Sequence, residues 1–336
     1  MFSRKTEKAD APVPRDLTIE ATVFFAEHLR FRTGDVAEAL RKDFPAMGWP
    51  EKEDYAALAD IPNSTDEMVL GALSMGGDVP RCTLIATDGG APQISEDVLA
   101  LNLANPDLIA AYGGSPGYLT LSISLEAADM VQRIDAARRL AAVVTVFAAL
   151  PVATAVYWSN GLRFMAAADW VSFGEDALRD DKLPLLCMIL PQSQQEAGPD
   201  GAPLTLAASV GLSLFCDYEI VMPMAPLDRP TALNLLMTVA SMATELGHVF
   251  HDGDTIGGPD GPSETDGFRI RAQYADDDPE RVIAMHFIHA KSPVDHEAQF
   301  GPLPKRPIRK RSSDMGWLKR RLVGRRAVPQ PGHTPH

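Results

Sequence analysis

Four short runs rich in β-branched and aromatic residues constrain the fold of this chain more than any other feature. They are "LTIEATVFFA" (17–26), "RCTLIAT" (81–87), "GYLTLSIS" (117–124) and "ATAVYW" (153–158), each with the composition of a half-buried strand. Helical stretches fall between the first and second runs and between the third and fourth. In "GDVAEALRKDF", Val36, Leu40 and Phe44 recur at helical spacing, with Thr33 as the expected N-cap and Pro45 as the stop. A longer helix is expected over 126–150, where Met130, Ile134, Ala137 and Ala141 share a face. The order β-α-β-β-α-β is the split, ferredoxin-like arrangement, with two helices covering one face of a four-stranded antiparallel sheet. "ISEDVLALNLA" is expected to insert a short helix that opens at Ser95.

The second half predicts a further α+β part that extends a mixed or antiparallel sheet. Its strand-like runs are "LPLLCMIL" (183–190), "LTLAASVGLSLFCDYEIVM" (204–222), "FRIRAQYA" (268–275) and "RVIAMHFI" (281–288). "DRPTALNLLMTVASMATELGH" reads as a helix capped by Asp228, with Pro230 in its first turn and Gly247 at its end. The expected organisation is a disordered arm over 1–16, a ferredoxin-like part over 17–160, a second part over 161–290 and a basic, Pro/Arg-rich tail over 291–336.

The N-terminus has no apolar run, and the apolar stretch from Leu140 to Val156 is interrupted by Pro151. That falls short of the roughly 20 residues a spanning helix needs, so no secretory signal and no integral membrane segment are expected. Cys82, Cys187 and Cys216 are far apart and odd in number, which predicts reduced thiols in a cytoplasmic protein with no zinc site. The net charge of −14 is unevenly spread: residues 305–326 hold ten Lys/Arg and one acid, leaving 21 bases and 44 acids elsewhere. An acidic body of −23 with a +9 segment repels nucleic acid except through that segment.

"GHVFHDGDTIGG" (247–258) concentrates His, Asp and Gly. An EF-hand loop started at Asp252 would place Ile256 and Ser263 where two ligands are required, which argues against calcium. An Asp-Gly hairpin turn is the stronger reading. His248 and His251, like His286 and His289, are three apart in extended segments and project to opposite faces, so neither pair is expected to bind metal. Asp217 and Glu219, two apart in a strand, would share a face and can in principle serve acid/base chemistry. The candidate pocket is therefore Glu219, His251, Asp252, Asp254 and Thr255, with no catalytic assignment, no metal and no cofactor. In the tail, Trp317, Lys319, Arg320, Arg321, Arg325 and Arg326 surround an apolar stripe of Met315, Leu318 and Leu322, a pattern suited to an anionic surface.

"TLAASVGLSLFCDYEIVMP", followed by a helix, "HVFHDGDTIGG" and "FRIRAQYA", resembles the bacterial family catalogued as domain of unknown function 4261. Gly211, Leu212, Phe215, Glu219, Asp252, Gly253, Asp254, Thr255, Ile256 and Gly257 fit its pattern, while Cys216 stands where glycine is usual. Tyr157 and Trp158, ending "ATAVYW", fit the strand after its long helix. The resemblance spans about 17–288 and implies no catalytic residues. The expected function is non-catalytic binding, with a protein as partner, of the kind by which immunity proteins neutralise basic partners. The alternatives are an enzyme with a carboxylate/His pocket beside Asp252 and Gly253, and a basic tail that tethers the domain to membrane or nucleic acid.

Overall fold

The computed structural model of the chain describes residues 15–50, 68–88, 92, 94–102, 108, 112–246, 250–256 and 267–301. Met1–Gly301 form one compact unit and Pro302–His336 a second, which lies outside the described residues together with the 1–14 arm. The fold is α+β, with two sheets of six strands each.

The first sheet contains β1 (Arg15–Phe25), β2 (Met68–Leu73), β3 (Cys82–Asp88), β4 (Gly117–Ala128), β5 (Ala153–Trp158) and β6 (Arg163–Ala166). Its order is β2-β3-β4-β1-β5-β6, antiparallel throughout. Helix α1 (Thr33–Asp43) follows β1, α2 (Glu96–Leu101) lies between β3 and β4, and α3 (Met130–Ala148) carries the chain from β4 to β5. Because β1 lies between β4 and β5, this last connection is a split β-α-β unit. The sheet exceeds the expected four strands because β2 adds to the edge at β3, and β6 to the edge at β5.

Alternation along β1 decides its two faces. Ile19, Ala21, Val23 and Phe25 are fully buried in the main core, while Phe24 points the other way into a small cluster with Leu108, Ala155 and Phe164. Ile94, Leu108 and Tyr112, from the segment between β3 and β4, pack in that outer cluster. Asn102 accepts from the Phe164 amide at 3.1 Å and donates to the Leu162 carbonyl at 2.8 Å. Ser95 caps α2 as expected, accepting from the Val98 amide.

Two helix starts differ from expectation. Arg32, not Thr33, is the residue before α1; Thr33 is buried at the first helical position and does not cap. The long helix begins at Met130 because Asp129 and Gln132 form a reciprocal capping box, with bonds of 2.9 and 3.0 Å. β4 accordingly continues to Ala128.

The second half supplies helices α4 (Ala167–Arg179), α5 (Leu185–Met188), α6 (Ser213–Cys216), α7 (Arg229–Leu246) and α8 (His296–Phe300). Its strands are β7 (Leu190–Ala197), β8 (Pro203–Val210), β9 (Glu219–Ala225), β10 (Thr255–Ile256), β11 (Phe268–Ala275) and β12 (Asp278–His289). The order is β10-β11-β12-β9-β8-β7, antiparallel except for the parallel pair β9–β12. Asp228 caps α7 by accepting from the Thr231 amide at 2.8 Å; Gly247 lies outside the described residues.

Two apolar runs predicted as strands are broken. "LPLLCMIL" holds the single helical turn α5, with Cys187 and Met188 fully buried, and the strand begins only at Leu190 and runs into polar sequence. Burial, rather than strand geometry, is what this apolar composition reports. The 204–222 run is interrupted by α6, and Gly211 (φ +99°) turns the chain out of β8. A β-carbon there would collide with the backbone of Gly161, and one on Gly161 with the carbonyl of Met188. Three backbone segments meet at this junction of the two halves. One continuous core runs through both, from Ile19 and Trp158 to Ile220 and Phe287.

The chain at 291–301, expected to belong to the tail, is part of the first unit and includes α8.

Candidate functional site

The motif around Glu219 is a brace. The Glu219 carboxylate accepts from the Ser209 hydroxyl at 2.6 Å and from the amides of Gly211, Leu212 and Ser213 at 3.0, 3.2 and 3.0 Å. These are donors that a short helix leaves unpaired at its start, so the carboxylate fixes α6 on the end of β9. Asp217, just before β9, has φ +67° and turns away to form a two-pronged pair with Arg133 of α3, at 2.6 and 2.9 Å. The two acids thus have different partners, and the acid/base pairing that their spacing allowed is not formed.

Replacing Glu219 with alanine strands three amides and a hydroxyl, and is expected to cost about 2–3 kcal/mol. A urea titration measures it; a variant as stable as the parent would contradict the brace.

The Asp252-Gly253 turn is present, but not as a hairpin. The Asp254 amide donates to the His251 carbonyl at 3.0 Å across it. Gly253 has φ +87° while Asp252 keeps a negative φ, which makes the turn type II rather than the type I′ of a two-residue hairpin. Phe250 and His251 are not in a strand, and β10 after the turn pairs with β11. Gly253 donates to Ile270 and Ile270 to Asp254, both at 2.8 Å, so the whole turn lies along β11.

Asp252 accepts from Arg271 Nε at 2.9 Å and from the Ala272 amide at 3.2 Å. Asp254 accepts from the His251 amide at 2.9 Å and lies 3.4 Å from that exposed imidazole. Thr255 opens β10 and is exposed.

His251, Asp252, Asp254 and Thr255 therefore do come together, but Glu219 does not join them. Glu219 is on β9, opposite Ala284 of β12, and β12 separates it from β11. The five-residue pocket is corrected to a turn cluster and a separate brace. His248 and the tail residues Trp317, Lys319, Arg320, Arg321, Arg325 and Arg326 lie outside the described residues.

The turn cluster has members that sequence reasoning missed. Arg271, 2% exposed, donates through Nη1 and Nη2 to the carbonyls of Gly301 and Phe300 at 3.1 and 2.9 Å, and its guanidinium lies over the Phe300 ring. It ties the turn to the last described residues of the chain. Beside it on β12, His286 hydrogen-bonds Gln273 at 2.9 Å and packs on Phe300, with ring centroids 4.7 Å apart. Burial holds His286 neutral, with its pKa pushed down to about 4. The only available signal was the placement of Arg271 among apolar neighbours in "FRIRAQYA".

His289 contacts Phe268 instead, and accepts from the Lys291 amide. The two histidines of "MHFIH" thus have separate surroundings. Among the described residues, no three His, Cys, Asp or Glu side chains gather as metal ligands. Cys82, Cys187 and Cys216 are free and buried, and burial pushes each thiol up to about 12. Among the described residues, no helix is long and apolar enough to cross a membrane.

No protein-family profile, curated protein or solved structure matches the chain.

Proposed function

We propose that the protein works by binding, with a basic protein as its partner, in the cytoplasm, in the manner of an immunity protein that neutralises its target. One observation carries this reading over an enzyme with a Glu219/Asp252 pocket. The carboxylates that the sequence nominates for chemistry serve the fold from inside: both oxygens of Glu219 take four donors, and Asp252 Oδ1 takes Arg271 and the Ala272 amide. The excess of negative charge is available for recognition, where it steers a basic partner and disfavours acidic ones.

Membership of the family called domain of unknown function 4261 belongs to the same proposal. Its support is that Gly211, Glu219 and Gly253, all motif positions, have defined structural duties.

The immobilised full-length protein is expected to retain a basic protein from native lysate at low salt and to release it as salt rises past about 0.3 M, where screening shortens to a few ångströms. Retention of nothing above background would overturn the reading. A second reading, a tether through 305–326, is supported by the ten Lys/Arg and single acid of that segment. It predicts salt-sensitive binding to anionic vesicles that disappears when residues 305–336 are deleted.

A further inference from the structure

We propose that the outward stripe of α4, formed by Asp169, Phe173 and Asp176, docks a basic helical segment of a partner protein, with an apolar residue seated on Phe173. The inference rests on the protein-binding reading and specifies its surface. These positions are spaced i, i+4 and i+7, which keeps them within a strip about 60° wide and about 10 Å long. The opposite face of α4 is committed to the core through Ala167, Trp170, Gly174 and Leu178. Trp170 also donates from its indole nitrogen to Thr145 of α3 at 3.0 Å, so the helix presents its stripe from a fixed support.

The solvent face of such a helix has no intramolecular use for a phenylalanine, yet Phe173 is 50% exposed, and Leu186 on the adjoining α5 is 45% exposed. Aromatic side chains in this setting are typical anchors of protein interfaces. The surrounding charge selects the occupant. Residues 167–182 hold five acids, of which Glu175, Asp180 and Asp181 are paired within the fold to Arg179, Lys182 and Arg138, so Asp169 and Asp176 on either side of Phe173 are the ones that offer charge to a partner. A second copy presenting the same stripe would set acid against acid. A partner helix with Lys or Arg at both ends and Leu-like residues between them satisfies both the charge and the apolar centre, as in helix-on-groove recognition.

The probe is a labelled three-turn helical peptide with central leucines and flanking lysines, titrated against the full-length protein by fluorescence anisotropy. Phe173→Ala is expected to weaken binding about tenfold, and Asp176→Lys to weaken it as much and to flatten its salt dependence. Both positions are at the surface, so thermal midpoints should stay within a few degrees of the parent. Unchanged affinity in both variants, or equal binding of a peptide with alanine for leucine, overturns the proposal. So does self-association of the parent that Phe173→Ala abolishes. If a partner retained from lysate binds both variants as well as the parent, this surface is wrong while the binding reading stands. If no partner is retained but the peptide discriminates the variants, the surface stands and that reading falls.

Discussion

Asp217→Ala is expected to cost about 3–5 kcal/mol of stability, because it leaves the Arg133 guanidinium buried without its counter-charge. Arg133 is fully buried, and among the described residues its side chain otherwise donates a long 3.3 Å bond from Nε to the Asp129 carbonyl. Since Asp217 sits at φ +67°, part of any loss on replacement comes from the backbone. Asp217→Asn, which tolerates that conformation, isolates the charge. The double variant Arg133→Met/Asp217→Ala removes the stranded cation and is expected to recover most of the loss. Urea midpoints of the parent, Arg133→Met, Asp217→Ala and the double variant form the cycle. A single variant within about 0.5 kcal/mol of the parent would show that the pair does not hold α3 to the second half.

Acidification provides the second large effect. His286 is held near pKa 4 in the fold, against 6.5 for an ordinary imidazole. The unfolded chain therefore takes up a proton before the folded one does. The stability associated with neutral His286 is full above about pH 6.5 and is lost as pH falls toward 4, about 3 kcal/mol in all. Protonation would also set a second cation beside buried Arg271, its cross-strand neighbour on β11. Carboxylates titrate at the lower end of this window, so the readout is the difference between the parent and His286→Phe. The variant should lose less stability between pH 6.5 and 4 by about that amount; parallel curves would refute the assignment.

The strands that could be read from sequence were those whose side chains alternate. β1, β4, β5 and β11 lie where β-branched and aromatic runs place them, since a half-buried strand writes its two faces into the sequence. α5 and α6 could not be read in the same way. Both are single turns buried on most sides, and continuous apolar composition does not distinguish a buried turn from a buried strand. β6 has only four residues, too few to show a period. The Asp129-x-x-Gln132 box was legible but lay inside a helix drawn from apolar spacing alone.

At the candidate site, the Asp-Gly turn was legible from its residues, whereas its pairing was not. β10 finds β11 across a gap in sequence, and Asp252 is held by Arg271, 19 residues on. Glu219 and Asp252 looked alike as acidic motif positions. What separates them is the strand order, which puts β12 between them.

The meeting of Gly161, Gly211 and Met188 has a consequence for how such a molecule can recognise anything. Backbone rests against backbone there without intervening side chains, and the Arg133–Asp217 pair spans the same two halves. Jaw-like closure of one sheet on the other would have to part both, so a hinged clamp is not among the motions open to this architecture. The partner proposed above would meet a surface whose shape is set before contact. Little ordering entropy is then left to lose on association, and encounter rates are governed by charge and orientation rather than by waiting for an open form.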